Sequence, residues 1–172
     1  TNRTRIMAKQ ITTEEIIAKY PKIFEDYPGN PGRCNWHGVP TGWLPIIDDL
    51  CGSIQEYIDH HRHSIDNPDY IEGSTWNYDD VTTHKSIMVS HDQVTCTQMK
   101  EKFGGLRFYE NGADKTVDGM IHYAEYLADN TCQDCGSRED IGRTSGWIST
   151  ICRTCAIGNG DRAMAAWKSK NE

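Results

Sequence analysis

The chain has 172 residues, 37% of them hydrophobic and including five Trp and eight Tyr, enough for one ordinary core or for a main domain with a small metal-stabilised appendage. No window approaches the roughly eighteen apolar residues of a membrane span, and no basic leader runs into an apolar stretch, so neither a membrane-embedded nor a secreted class is expected. The formal charge of −7 is uneven: residues 1–131 hold 12 Lys and Arg against 20 Asp and Glu, while residues 132–172 hold 6 against 5, so the body should repel a phosphate backbone at long range.

In chain order, Met7-Ala8-Lys9 reads as a natural start preceded by Thr1 to Ile6. Thr12 or Thr13 caps a short helix with Glu14 and Glu15 in its first turn, an apolar stripe of Ile16, Ile17 and Tyr20, and Pro21 as its stop. The cluster Pro28-Gly29-Asn30-Pro31-Gly32 must be loop. From Trp43 to about His61, Ile46, Ile47, Leu50, Cys51, Ile54, Tyr57 and Ile58 recur at three and four residues, predicting a core helix with Pro45 in its first turn. Ser64 to Asp80 reads as a long loop rich in Asp, Asn, Pro and Gly.

The β-branched runs Ile87-Met88-Val89 and Val94-Thr95-Cys96-Thr97, between Ser86 and Lys102, favour strand. A hairpin follows over Glu101 to Tyr109, with Gly104-Gly105 supplying positive φ, Leu106 and Phe108 inward, and Arg107 and Tyr109 outward. Asn111-Gly112 ends that strand, and Asp114 or Thr116 caps a helix with the buried stripe Val117, Met120, Ile121, Ala124, Leu127 and Ala128. Gly146 to Ile151 is predicted as a strand, and Asp161 to Lys168 as a closing helix.

The firmest chemical signal is Cys132, Cys135, Cys152 and Cys155, spaced C-x2-C, sixteen residues, C-x2-C. Each pair can present two thiolates from one tight turn, and the insert suits a hairpin that returns the chain to the first pair, so the four predict one structural Zn2+ site. Four protein ligands leave no position for water or substrate, which assigns the metal to holding the fold rather than to chemistry. Two disulfides, or four unlinked thiols, are the other reading. With seven cysteines and no secretory signal, a reducing compartment, the cytoplasm, is expected, and there metal binding outranks disulfides.

Other constellations are thinner. His60, His61 and His63, with Asp59 and Asp66 nearby, can bind a divalent ion, but a helix C-terminus or surface role is the expected one. Cys34 and His37 form a C-x2-H knuckle that would need Cys51 or one of those histidines to complete a second metal site. Cys51 and Cys96 read first as small buried hydrophobes. No Gly-x-Ser-x-Gly elbow, Walker loop or dinucleotide fingerprint is present, and the insert Gly136 to Ile151 contains no histidine for an HNH-type nuclease centre.

Three segments, Gly42 to Cys51, Met99 to Tyr109 and the Cys132 to Cys155 ribbon with Gly146-Trp147, resemble a family of small proteins encoded by tailed phages and prophages and ending in a four-cysteine zinc ribbon. The likeness covers most of residues 20–155; Asn35 to Thr41 and Ser64 to Asp80 depart from it. It implies a viral origin and an accessory role, with no catalytic assignment to carry over.

The sequence therefore predicts an α+β body over residues 7–130, a small antiparallel sheet packed on two main helices, followed by a four-cysteine zinc ribbon with a short helix over residues 131–172. The expected role is a non-catalytic, phage-encoded accessory protein in the host cytoplasm that engages a host or phage protein, for instance as an anti-defence or host-takeover factor; the acidic body suits a basic partner. Three rivals stand beside it. One is nucleic-acid binding by the ribbon through Arg138, Arg143, Arg153 and Trp147, against which the acidic charge counts; another is a metal-dependent hydrolase on His60, His61 and His63; the third is a virion structural component. The oligomeric state has no signature in the sequence.

Overall fold

The computed structural model describes residues 11–25, 35–66 and 93–170, without the side chains of residues 35–37 and 61–66. The expectations at Met7-Ala8-Lys9, Pro28 to Gly32, Ile87-Met88-Val89 and most of the loop Ser64 to Asp80 lie outside these residues. The fold is mixed helix and sheet, as expected, with the cysteines gathered near the C-terminus.

Helix α1 (Thr13–Lys19) is closed by a reciprocal capping box: Thr12 Oγ1 accepts from Glu15 N at 3.2 Å, and Glu15 Oε2 accepts from Thr12 N at 2.9 Å. Its single fully buried residue is Ile16; Ile17, expected on the same stripe, is 37% exposed. Lys19 reaches Asp48 at 2.9 Å and so ties the helix to its neighbour.

Strand β1 (Asn35–His37) and a 3-10 turn (Thr41–Trp43) lead into α2 (Leu44–Asp66). Ile46, Ile47, Leu50, Cys51, Ile54 and Ile58 are buried along one side, as their spacing predicts. The helix runs five residues past His61, because the first strong breaker in the sequence is Pro68, which disfavours helix at the residue before it. His60, His61 and His63 therefore stand on its last turns rather than beyond its end.

Strands β2 (Thr95–Lys102) and β3 (Gly105–Asn111) form the predicted antiparallel hairpin, and β1 adds to β2 in parallel, giving the order β1-β2-β3. Leu106 and Phe108 face the core, whereas Arg107 and Tyr109 do not. The turn differs from expectation. Lys102 pairs with Gly105, so Phe103 (φ 53°) and Gly104 (φ 74°) are the two loop residues, in the pattern of a type I′ turn, and Gly105 is already strand. A bulky aromatic in the left-handed region is strained, and Phe103 is 68% exposed, so burial does not offset that cost. Phe103→Asn, which installs the Asn-Gly pair this turn favours, should raise stability by about 1 kcal/mol in urea denaturation.

Helix α3 (Lys115–Asp129) is capped by Asp114, whose Oδ1 accepts from Thr116 N and Val117 N while Oδ2 accepts from the Tyr57 hydroxyl at 2.8 Å. One carboxylate thus starts α3 and fixes α2 beside it. Val117, Ile121, Ala124 and Ala128 are buried against α2 and β3, with Met120 and Leu127 partly covered, and Trp43 is fully enclosed in the same apolar cluster.

The C-terminal part has its own small apolar cluster of Cys132, Ile141, Ile151, Cys152 and Ala156, with Met164 and Trp167 packed on it. Strands β4 (Ile141–Thr144) and β5 (Thr150–Cys152) are followed by α4 (Arg153–Gly158), α5 (Asp161–Ala166) and β6 (Trp167–Ser169), with sheet order β5-β4-β6. Two expectations are corrected. The strand predicted over Gly146 to Ile151 begins only at Thr150, because Thr144 Oγ1 donates to Trp147 O and accepts from Ser149 N, closing Ser145 to Ser149 into a loop. The helix predicted to Lys168 ends at Ala166: Trp167 donates its indole N–H to Ile151 O at 2.9 Å and turns the chain onto β4 as a third strand.

Candidate metal centre

The four sulfurs are delivered by two turns that backbone hydrogen bonds hold in place. In the first, Cys132 N donates to Ser137 O and Gly136 N donates to Cys132 O at 2.9 Å; in the second, Cys155 N points at Cys152 Sγ at 3.4 Å. Gln133 N and side-chain Oε1 engage Thr150 O and Thr150 N, locking the first turn to the strand that feeds the second. This is the physical content of the C-x2-C spacing, in which backbone geometry, not packing, aims each thiolate pair.

All four Sγ atoms lie within 4.8 Å of one another, none is in a disulfide, and Cys135 Sγ stands 3.7 Å from Cys152 Sγ. Ligands about 2.3 Å from a tetrahedral ion are about 3.8 Å apart, so the spacing fits a shared ion, and it excludes the disulfide reading in this state. Cys132 and Cys152 are buried, Cys155 is half-buried and Cys135 is exposed.

Burial pushes the Cys135 and Cys155 thiols above their ordinary range; the other three sulfurs add to the rise at Cys155, whereas at Cys135 those of Cys132 and Cys152 raise it and that of Cys155 opposes them. At Cys132 burial acts in the same direction, but backbone hydrogen bonds from Cys152, Cys135 and Asp134 outweigh it and hold this thiol below its usual value. A centre with one favoured thiolate and crowded partners needs a cation before all four can ionise together.

The centre is also the hinge pin between the two apolar clusters. Gly42 N donates to Gln133 O at 2.9 Å, and the Trp43 indole N–H donates to Thr131 O at 3.0 Å. Gly42 allows this approach: a Cβ there would lie 2.7 Å from Gln133 O and Gly136 N, and closer still to Cys132 O. On the other side Thr150 Oγ1 donates to Gly104 O at 2.6 Å, so the hairpin turn of the body rests on the strand carrying Cys152.

Among the described residues no other group of three or more His, Cys, Asp or Glu gathers within metal-binding reach. Cys51 and Cys96 are buried in the body's apolar cluster. His60 is exposed on α2, the side chains of His37, His61 and His63 are not described, and Cys34 lies outside the described residues. Of the arginines singled out for nucleic-acid contact, Arg138 and Arg153 are exposed, and the partly exposed Arg143 pairs with Asp129 at 3.2 Å. Compared with protein-family models, curated proteins and solved structures, the chain has no match.

Sequence reading missed two things here: the docking role of Gly42-Trp43 and a groove of about 430 Å³ beside the first knuckle, lined by Gln133, Trp147, Ile151, Arg162, Ala163 and Ala166. Trp147, already singled out in the sequence, lines that groove at 84% exposure, but nothing in the sequence shows that a groove lies beside it.

Proposed function

We propose that this protein is a non-catalytic binding module in which one Zn2+ ion, held by Cys132, Cys135, Cys152 and Cys155, clamps the ribbon to the α+β body so that the two present a surface to a protein partner. The observation that carries the reading is the closed donor set: four sulfurs within 4.8 Å satisfy a tetrahedral ion and leave no open position for a reacting water. Four thiolates suit zinc or iron alike, and zinc is the ion this reading assigns and elemental analysis tests. The resemblance to tailed-phage and prophage proteins makes the partner a host or phage protein, and the exposed Trp147 beside its apolar-floored groove supplies the kind of aromatic anchor on which such contacts concentrate.

Elemental analysis of reduced, freshly isolated protein should give one zinc per chain and a colourless solution; a visible thiolate-to-iron band would reassign the ion. Metal uptake should release protons, because ordinary thiols ionise near pH 8.5 and Cys135 and Cys155 lie higher. The sign follows: protons compete for the ligands as pH falls, so chelator competition should show zinc affinity dropping at least about tenfold per unit from pH 8 to pH 6. Partner engagement is tested by reconstituting a captured phage or host protein with the purified chain. A stoichiometric complex weakened by Trp147→Ala supports the reading, and hydrolysis of a nucleic acid by purified protein with added metal overturns it.

A further inference from the structure

The hairpin and the ribbon bring together a set of cations that are far apart in sequence. Cross-strand register puts Lys100 opposite Arg107 on β2 and β3, and Arg143 opposite Lys168 on β4 and β6, so each pair shares one face of its sheet. The two pairs meet at Asp129: Arg143 reaches its Oδ1 at 3.2 Å, and a Cβ built on Gly105 would lie 3.0 Å from that oxygen and 3.1 Å from Arg107 Nη1. Lys170 donates to Asp129 O, and burial together with the Arg143 charge draws its ammonium below the ordinary range. Lys102 extends the row to the hairpin tip. Six of the chain's 18 Lys and Arg thus line one seam, faced by Asp129 and by Glu125, which lies 3.8 Å from Arg107. Glu101 is drawn away to cap Gly104 N, and Glu110 to cap Ala113 N. In a chain of net charge −7, that is strong local segregation.

The same face carries rings paired with lysines. Lys100 Nζ lies 5.0 Å from the Tyr109 ring centroid and Lys102 Nζ lies 5.5 Å from that of Phe103, with Tyr109 42% and Phe103 68% exposed. Phe103 is held in the left-handed region that a bulky residue avoids, with its ring outside the core, so neither backbone preference nor packing accounts for it. Cations that follow a backbone beside rings on which bases stack are the two ingredients of single-strand recognition.

We propose that this seam, from Tyr109 and Lys100 through Lys102 and Phe103 to Arg143 and Lys168, binds single-stranded nucleic acid, the lysines and arginines meeting phosphates and the two rings stacking on bases. This goes beyond the protein-binding reading and uses a different surface from the Trp147 groove. It also differs from the arginine set expected from the sequence, since Arg138 and Arg153 take no part. Because the ribbon supplies half of the cations, the site exists only while the metal centre holds the ribbon in place.

The test is fluorescence anisotropy of a labelled fifteen-nucleotide oligo(dT) against zinc-loaded full-length protein. With about three phosphates neutralised, affinity should fall about 20-fold between 50 and 200 mM salt. Lys100→Gln with Lys102→Gln should flatten that dependence, and Tyr109→Ala should weaken binding at least about fivefold, the low end for one lost base stack, with zinc content unchanged. Phe103→Asn is the sharpest variant: it should bind more weakly while its melting temperature holds or rises, a combination that damage to the fold would not produce. Absence of binding at 50 mM salt overturns the proposal, as does binding indifferent to these variants. Preference for poly-glutamate over oligo(dT) also overturns it and assigns the face to an acidic protein. Retention of the protein partner by the same variants separates failure here from failure of the protein-binding reading.

Discussion

Cys132→Ser protein should purify without stoichiometric zinc and with its C-terminal part unfolded. Cys132 is the fully buried ligand and the one whose thiolate the backbone favours, and a serine hydroxyl does not ionise at neutral pH to replace it. The small cluster around Ile141, Ile151 and Ala156 is too limited to hold the ribbon alone, so loss of metal removes a binding term on the order of 10 kcal/mol from its folding. Hydrogen exchange should show residues 132–170 losing protection while the core of α2, β2, β3 and α3 keeps most of its own. Equal loss of protection in both parts would mean that the ribbon is integral to the body's folding; full protection without metal would remove the clamp altogether.

A single methyl group at Gly42 should approach that effect from the other side. In Gly42→Ala the new carbon would lie 2.7 Å from Gln133 O and Gly136 N, both backbone atoms of the first knuckle, and neither can swing away as a side chain would. Either the knuckle distorts or the Thr41–Trp43 turn retreats, breaking the bond from Gly42 N to Gln133 O and pulling the Trp43 indole from Thr131 O. Overpacking together with lost buried hydrogen bonds gives an expected cost of about 3 kcal/mol or more in chemical denaturation, with faster zinc release to a chelator. Gly119→Ala is the matched control: nothing lies within 4 Å of its added carbon, and the exchange on exposed α3 should stabilise by about 0.5 kcal/mol or slightly more. If Gly42→Ala melts with the control, the contact between body and knuckle is not tight.

The parts of this architecture that were legible in the sequence depend on short-range rules. Periodicity placed α2 and α3, capping residues placed the starts of α1 and α3, and the C-x2-C pairs placed the four-cysteine cluster, because each signal lies within a few residues of the structure it dictates. The features that escaped are pairings across distance. Asn35–His37 is three residues long and becomes a strand only because β2 accepts it. Trp167–Ser169 continues a helical pattern until its indole finds Ile151 O, sixteen residues earlier. Phe103 was overlooked at the turn because a type I′ loop wants Asn or Gly there, so a local rule pointed to the neighbouring glycines instead. The seam had the same character: Lys100, Arg107, Arg143 and Lys168 look scattered until strand register aligns them.

The metal centre is lopsided, with Cys132 sealed inside and Cys135 at the surface. Traffic with the solvent therefore passes most readily at the Cys135 corner of the tetrahedron, with the half-buried Cys155 next. A chelator, an oxidant or a competing soft metal meets the Cys135 sulfur first and works inward, so zinc loss should begin by unlatching that ligand while Cys132 and Cys152 still hold. Cys135→Ser, with three thiolates kept, is accordingly the change that would convert a sealed clasp into an ion with a vacancy facing water.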